Sequence, residues 1–292
     1  MNSKNISKHL QWKISDWLNS IEDIDIAGVI RSNAIITGGA LVSLLTNETP
    51  NDYDIYFRTK ETVVALCEYY SKEIKDIASK MKIAIPNMEV KESEEQVLFF
   101  ISSSGLIRLN PMDKKFPKGK FHPIFATSNA ITLSDKIQLI YRFIGEPEEI
   151  HSNYDFEHCK SYWCSWDHKL IIPASSAEAL LARELRYTGS KYPLSSIIRT
   201  RKFIKRGWSI NAGEYLKMCV QLNKLNLLDV NVLKDQLVGV DTTYFMMFIS
   251  EIQAKIDSEK DFALSESYVL ELIDKIFNED SEEYSPENYE SN

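Results

Sequence analysis

The sequence lacks any apolar run long enough to cross a membrane, and residues 1–12 lack the apolar core of a signal peptide. It has only four cysteines and no C-x-x-C pair, so we expect reduced thiols and a cytoplasmic protein. Internal repeats and Gly/Ser linkers are also missing. These absences exclude membrane-spanning, disulfide-rich and repeat classes. An ordinary globular chain of 292 residues remains, with length for a substantial core.

The chain is acidic overall, but its positive charge is concentrated in one segment. The formal net charge is −8, and six acids within residues 278–292 account for six of those charges, which leaves about −2 elsewhere. We expect these last residues to form a disordered acidic tail. Residues 183–206 instead hold eight bases against one acid, Glu184. Such a segment can bind a triphosphate or a nucleic-acid backbone, although a solvated basic helix has the same composition.

Between residues 34 and 58, glycines and carboxylates follow one another in an order that indicates a site for a phosphate and a divalent cation. A short apolar run that predicts a buried strand meets Gly38 and Gly39, and Asp52 and Asp54 then fall on a second strand. Alternate side chains share one face of a strand, so the two carboxylates would point together and repel. A divalent cation explains that placement, because hard cations bind carboxylates and bridge to phosphates. Glycines at a strand-to-helix turn allow close approach of a phosphate.

This pattern, Gly-Gly, twelve residues and then Asp-x-Asp, resembles the signature of polymerase-β-type nucleotidyltransferases. Its spacing is most similar to the head domain of CCA-adding enzymes and bacterial poly(A) polymerases. One departure is that their Arg-Asp pair is replaced by Val42 and Ser43. The resemblance implies an α/β fold, in which a head with a mixed β-sheet and flanking helices precedes an all-helical domain. The alternative is a chance Gly-Gly turn followed by an edge strand with two solvated aspartates.

The resemblance also implies a third carboxylate on a strand beside the Asp-x-Asp strand. Residues 151–159 look strand-like, and Asp155 fits best, with Glu157 as its rival on the same strand face. We therefore predict that Asp52, Asp54 and Asp155 are catalytic and bind Mg²⁺, with Mn²⁺ as an alternative. A zinc site is the weaker alternative for a nearby set of side chains, which read better as buried cysteines and ordinary histidines: His158, Cys159, Cys164 and His168.

Nucleotide binding is assigned to residues from both parts of the chain. The predicted set is Gly38, Gly39, Ser43, Arg199 and Lys202. Residues 199–210 resemble the neck segment that follows the head of CCA-adding enzymes, but the spacing is one residue shorter. Their nucleotide-selecting E-D-x-x-R element has no clear counterpart here.

Apolar periodicity supplies the element and domain predictions. Helices are predicted over residues 6–21, 40–45, 59–80, 175–187, 194–206, 212–221, 230–236, 243–256 and 265–277, and a turn with a short helix over residues 145–150. Strands are predicted over residues 34–36, 82–85, 96–102, 106–109, 129–133, 136–143 and 151–159. The predicted domains are a nucleotidyltransferase head with an N-terminal helix (1–173), a helical domain (174–277) and the acidic tail (278–292).

The predicted function is metal-dependent transfer of a nucleoside monophosphate from an NTP to an acceptor hydroxyl, with release of pyrophosphate. The basic segment and the CCA-enzyme-like spacing favour an RNA 3′ end as the acceptor. Two alternatives stay open. One is the same chemistry on a protein or a small molecule, as in a toxin-like system. The other is a catalytically inactive head that binds RNA or protein.

Overall fold

The computed structural model describes residues 2–85, 87–92, 97–101, 106–237, 243–259 and 262–278. The chain divides into two compact units, Met1–Ala182 and Arg183–Asn292, and each is described by itself. The sequence instead placed a domain boundary between residues 173 and 174, and that assignment stays a prediction. The predicted acidic tail, from residue 279 onward, lies outside the described residues.

The first unit contains a mixed β-sheet with β2 near its centre. In chain order the strands are β1 (Ala34–Thr37), β2 (Tyr53–Phe57), β3 (Met88–Glu92), β4 (Val97–Ile101), β5 (Leu106–Arg108), β6 (Pro123–Thr127), β7 (Ala130–Leu133), β8 (Ile137–Ile144), β9 (Tyr162–Cys164) and β10 (Leu170–Ile171). The sheet order is β10-β9-β1-β2-β8-β7-β6-β5, and β3 pairs with β4 separately. Only β2 and β8 run parallel among these described pairings.

Helices flank this sheet. They are α1 (Ser3–Leu18), α2 (Ile24–Arg31), α3 (Gly39–Leu45), α4 (Lys60–Met81), α5 (Pro147–His151), a 3₁₀ helix (Glu157–Cys159) and α6 (Ala174–Ala182). Helix α1 buries Ile6, Leu10, Ile14 and Trp17, which recur at the three- and four-residue spacing of one helix face. The indole nitrogen of Trp17 donates to the hydroxyl oxygen of Tyr70 on α4 at 2.8 Å, so the two helices meet in the core.

The central strands have one face in the main core and one face towards a smaller cluster. Ile36 on β1 and Ile55 on β2 pack in the main core with α1 and α4. Ile35 and Tyr56, the alternate residues, pack in the smaller cluster. Because side chains alternate along a strand, Asp54 falls on the face of Tyr56. The face away from the main core therefore carries the candidate chemistry.

The second unit is helical in its described part. Its helices are α7 (Pro193–Lys205), α8 (Ala212–Leu222), α9 (Val230–Gln236), α10 (Thr243–Ser258) and α11 (Glu266–Asn278). Leu233, Phe248, Ile252 and Leu272 form a buried cluster between α9, α10 and α11. The predicted fold class, a mixed sheet with flanking helices followed by an all-helical part, is confirmed. None of the helices in the described ranges is both long and apolar enough to cross a membrane.

Three element predictions were wrong. Residues 151–159 form no strand, because Pro147 and the capping box of Glu146 and Glu149 start α5, and the chain then turns into the 3₁₀ helix. Residues 82–85 are not a strand either, since Lys82 adopts a left-handed conformation, with φ of 61°, that ends α4. Helix α6 ends at Ala182 rather than near residue 187.

Candidate active site

The turn between β1 and α3 depends on Gly38. Its φ of 80° and ψ of −142° are open to glycine and strained for other residues, and its amide donates to the carbonyl oxygen of Cys159 at 3.2 Å. A Cβ at this position would lie 3.3 Å from the hydroxyl oxygen of Tyr154 and 3.8 Å from Oδ2 of Asp54. Gly39 differs, because a Cβ there would meet no atom within 4 Å. The backbone at Gly39 is therefore open to a ligand.

The two predicted carboxylates lie at the start of β2, and that of Asp54 approaches this turn. Asp52 is exposed and comes immediately before β2, while Asp54 lies on β2 and is half-buried. The 3.8 Å between Oδ2 of Asp54 and the Cβ position of Gly38 brings the strand and the turn together. The fold therefore brings Asp54 close to the turn at Gly38, while the catalytic and metal-binding roles of Asp52 and Asp54 stay predictions.

The third carboxylate is not on a strand beside β2. The neighbours of β2 are β1 and β8, and their sequences, AIIT and IQLIYRFI, contain no Asp or Glu. Gln138 on β8 is the register partner of Asp54. Asp155 lies in the segment between α5 and the 3₁₀ helix and is 8% exposed. Its strand placement was wrong, whereas its role as a ligand stays a prediction.

Glu157, the rival to Asp155, has its own partners. Its Oε1 lies 3.2 Å from Nζ of Lys160, and its Oε2 accepts from Oγ of Ser175 at 2.9 Å. Its carbonyl oxygen accepts from Oγ of Ser176 at 2.6 Å. The hydrogen bonds with the two serines connect Glu157 to the first turn of α6, so this residue has a structural role.

Within the described ranges, no three His, Cys, Asp or Glu side chains are arranged to hold a metal ion. The carboxylates of Asp52 and Asp54 nonetheless fit the donor type of Mg²⁺, which proteins bind through one or two carboxylates plus substrate phosphates. In the proposed zinc set, His158 is fully buried against Cys159, with Nε2 and Sγ 3.4 Å apart. Cys164 is buried in β9, and His168 is exposed with its ring stacked on Trp163.

The remaining predicted nucleotide-binding residues lie in different settings. Ser43 is on α3 and only 6% exposed, and Val42 beside it is fully buried, so the two residues at the Arg-Asp position are held in the interior. Arg199 is half-buried and Lys202 exposed, both on α7 of the second unit. Their roles, like that of Ser43, stay predictions.

A cluster around Thr37 was missed by the sequence reasoning. Nε2 of His151 lies 2.8 Å from Oγ1 of Thr37, whose hydroxyl donates to the carbonyl oxygen of Ser161 at 2.8 Å. The His151 ring lies 5.0 Å from the ring of Tyr154 and 5.5 Å from that of Tyr162, between centroids. Burial, followed by the positive charge of Lys160, lowers the pKa of His151 to about 4. The imidazole is therefore neutral at physiological pH.

Comparison with known proteins identifies the family. A model described as "Gabija anti-defense 2 family protein" matches residues 8–183, more than half of the chain. The chain belongs to this family. The "Gabija anti-defense 2" protein of Bacillus phage SPbetaL7 is 22% identical over 258 residues, covering 85% of this chain and 54% of that protein. The chain thus spans about half the length of the curated relative that it matches.

Solved structures of CCA-adding enzymes are similar to this family member at low identity. The Thermotoga maritima enzyme complexed with tRNA is 13% identical with a TM-score of 0.38, covering 95% of this chain and 67% of that one. The Bacillus stearothermophilus enzyme in complex with CTP is 14% identical with a TM-score of 0.35, covering 77% and 48%. The motif resemblance named these enzymes but not the anti-defense family.

The family match places the candidate site within the shared part of this Gabija anti-defense 2 family member. Residues 8–183 include the turn at Gly38 and the carboxylates of Asp52, Asp54 and Asp155. The basic helix α7 lies beyond that match.

Proposed function

We propose that this chain is a divalent-metal-dependent nucleotidyltransferase that acts against the Gabija defence. In the reaction, an acceptor hydroxyl attacks the α-phosphorus of an NTP. A bond forms between the acceptor oxygen and that phosphorus, the bond to the β-phosphate breaks, and pyrophosphate leaves.

The observation that carries this proposal is the contact between the glycine turn and the Asp-x-Asp strand. Oδ2 of Asp54 is 3.8 Å from the point that a Cβ of Gly38 would occupy, and the backbone at Gly39 is open. A triphosphate against this backbone meets donor N–H groups, while Asp52 and Asp54 lie within reach of its phosphates. Folding alone gives two carboxylates no reason to share one strand face, because like charges repel.

Asp52 and Asp54 would hold Mg²⁺, with Mn²⁺ as the alternative. When bound, the ion would neutralise phosphate charge and favour deprotonation of the attacking hydroxyl. The chain's own part is to keep both carboxylates beside the turn through the pairing of β1 with β2, in which Ile36 lies opposite Ile55. Asp155, from the segment that follows α5, remains the proposed third ligand, although the described residues do not arrange it with Asp52 and Asp54 as a group of three metal-holding side chains.

Two acceptors are supported by different observations. Arg201, Lys202 and Lys205 on α7 are exposed and carry three positive charges on one helix, which favours the phosphate backbone of an RNA acceptor. The family name instead favours a protein hydroxyl in the Gabija defence. We place the RNA 3′ end first and the protein acceptor second.

The test is to incubate the protein with each labelled NTP and Mg²⁺, together with total RNA and purified Gabija proteins. We expect label in RNA or in a Gabija protein with wild type, and none with Asp52→Asn or Asp54→Asn. Both variants should stay folded, with thermal stability unchanged or raised, because one repelling charge is removed. Full transfer by either variant would refute the assignment of these carboxylates.

A further inference from the structure

The hydroxyl of Tyr154 and the carboxylate of Asp54 flank the same point of the turn. The Cβ position of Gly38 is 3.3 Å from Oη of Tyr154 and 3.8 Å from Oδ2 of Asp54. Both oxygens therefore lie on the side of Gly38 that a side chain would fill. A ligand that enters this space contacts Asp54 and the phenol together.

Three neighbours hold the phenol of Tyr154 in place. Its hydroxyl hydrogen-bonds to the hydroxyls of Thr37 and Tyr56. Its ring packs against His151 at 5.0 Å and against Tyr56 at 6.1 Å, between centroids. His151 itself is fixed by its contact of 2.8 Å with Oγ1 of Thr37. The hydroxyl is thus positioned before any ligand arrives, which reduces the entropy lost on binding.

The charge of this hydroxyl suits an anionic ligand. A phenol has an ordinary pKa near 10 and is a neutral donor over the physiological range. A third carboxylate at this point would repel a triphosphate, whereas a neutral O–H adds an attractive contact.

The proton of this hydroxyl can move from a neutral acceptor to a charged one. A phenol oxygen donates one hydrogen bond and accepts two, and hydroxyl protons rotate to suit their partners. Because the Thr37 hydroxyl donates its single proton to the carbonyl oxygen of Ser161, the proton of Tyr154 points to Thr37 or Tyr56 when no ligand is bound. It can turn from that neutral acceptor to a phosphate oxygen when a triphosphate binds. A hydrogen bond to a charged oxygen is stronger than one between neutral groups.

We propose that Tyr154 is a residue of the nucleotide site and that its hydroxyl donates to a phosphate oxygen of the triphosphate bound at Gly38. The inference rests on the proposed function, since it needs a triphosphate at that turn. The sequence analysis predicted the neighbouring Asp155 as a metal ligand and gave no role to Tyr154.

The test compares Tyr154→Phe with Tyr162→Phe. Both changes remove a phenol hydroxyl from a ring that packs on His151, but the Tyr162 hydroxyl faces Glu148, with 3.5 Å between the oxygens. Each protein is titrated by calorimetry with the α,β-methylene analogues of the four NTPs in Mg²⁺. We expect the Kd of the bound analogue to rise about tenfold for Tyr154→Phe. It should stay at the wild-type value for Tyr162→Phe.

Each outcome separates the inference from the proposed function. If wild type binds none of the analogues, the proposed function fails. If wild type binds and both Phe variants match it, only the role of Tyr154 is refuted. Should Tyr154→Phe not fold, 3-fluorotyrosine placed at position 154 keeps the hydroxyl, and its ¹⁹F signal should shift on addition of the bound analogue. An unchanged signal under saturating analogue would also overturn the proposal.

Discussion

Alanine at Gly38 and at Gly39 should change stability in opposite directions while weakening nucleotide binding in both cases. At Gly38 the positive φ of 80° is strained for alanine, and the added Cβ would lie 3.3 Å from Oη of Tyr154. At Gly39 the added Cβ meets no protein atom within 4 Å. Substitutions at these two neighbouring positions therefore distinguish an effect on the free energy of unfolding from an effect on nucleotide affinity.

The expected magnitudes follow from these environments. A non-glycine residue in a sparsely populated backbone region costs roughly 1–3 kcal/mol, so Gly38→Ala should lower the free energy of unfolding by about that amount. Gly39 is the first residue of α3, where alanine loses less conformational entropy on folding. Gly39→Ala should therefore raise stability, by at most about 1 kcal/mol.

The measurements are denaturant unfolding and calorimetric binding of an NTP analogue with Mg²⁺. Gly28→Ala is the matched control, because Gly28 lies inside α2 and an added Cβ there also meets nothing within 4 Å. This control should gain stability as Gly39→Ala does and bind the analogue like wild type. If only Gly39→Ala loses binding, the cause would be a clash between the added methyl group and the ligand, and not a change in protein stability.

The reasoning is refuted by one combination of results. If Gly39→Ala is folded, more stable and binds the analogue like wild type, then no phosphate lies against this backbone. Weaker binding by Gly28→Ala would instead show that the measurement reports stability and not contact with the ligand.

Three further predictions concern Asp155, His151 and α7. Asp155→Asn should reduce transfer far more than Glu157→Gln, because Glu157 is engaged with Lys160 and Ser175; the reverse ranking would move the role to Glu157. The folded-state pKa of His151 is about 4 against 6.5, so the unfolded chain binds more protons. Stability present above pH 6.5 should fall, by at most about 3 kcal/mol, as the pH drops towards 4. His151→Gln should flatten that dependence in unfolding measured against pH, and an unchanged profile would contradict it. Replacing Lys202 and Lys205 with Gln should lower the slope of log K for RNA binding against log salt by about 0.7 to 0.9 per lost contact. The exposed control Lys224→Gln should leave that slope unchanged, and equal slopes in all three proteins would make α7 a solvated helix.

Elements with strong local periodicity were predictable from sequence. The apolar spacing of α1 and α4 and the apolar run of β1 report directly on burial, and the structure contains all three. The order of strand, short helix and second strand around Gly38 and Asp54 was also predictable, because each of these elements is short and local in sequence. These features depend on neighbours in sequence.

The rest of the candidate site depends on distant contacts. Alternating aromatic and charged residues over 151–159 predicted a strand, yet the capped start of α5 and the contact between His151 and Thr37 fold this segment into turns. Tyr154 is the sequence neighbour of Asp155 and was not among the predicted site residues. Helix α6 is ended by a left-handed Arg183, with φ of 50°, whose carbonyl oxygen accepts from the amide of Ser209 at 2.8 Å. No pattern in the local sequence predicts a hydrogen-bond partner as distant as Ser209.

The order in which the chain is synthesised bears on when the candidate site becomes competent. Strands β1 and β2 are close in sequence and can pair early, but β2 also needs β8, in which Ile137 lies opposite Tyr53. The amide of Gly38 finds its acceptor later still, at Cys159. Pairings of such large sequence separation form slowly, since the chain loses entropy before the contacts reward it. A nascent chain synthesised only to the end of β8 would therefore contain both carboxylates, but the amide of Gly38 would lack its acceptor at Cys159. The candidate site would form after the strands that support it.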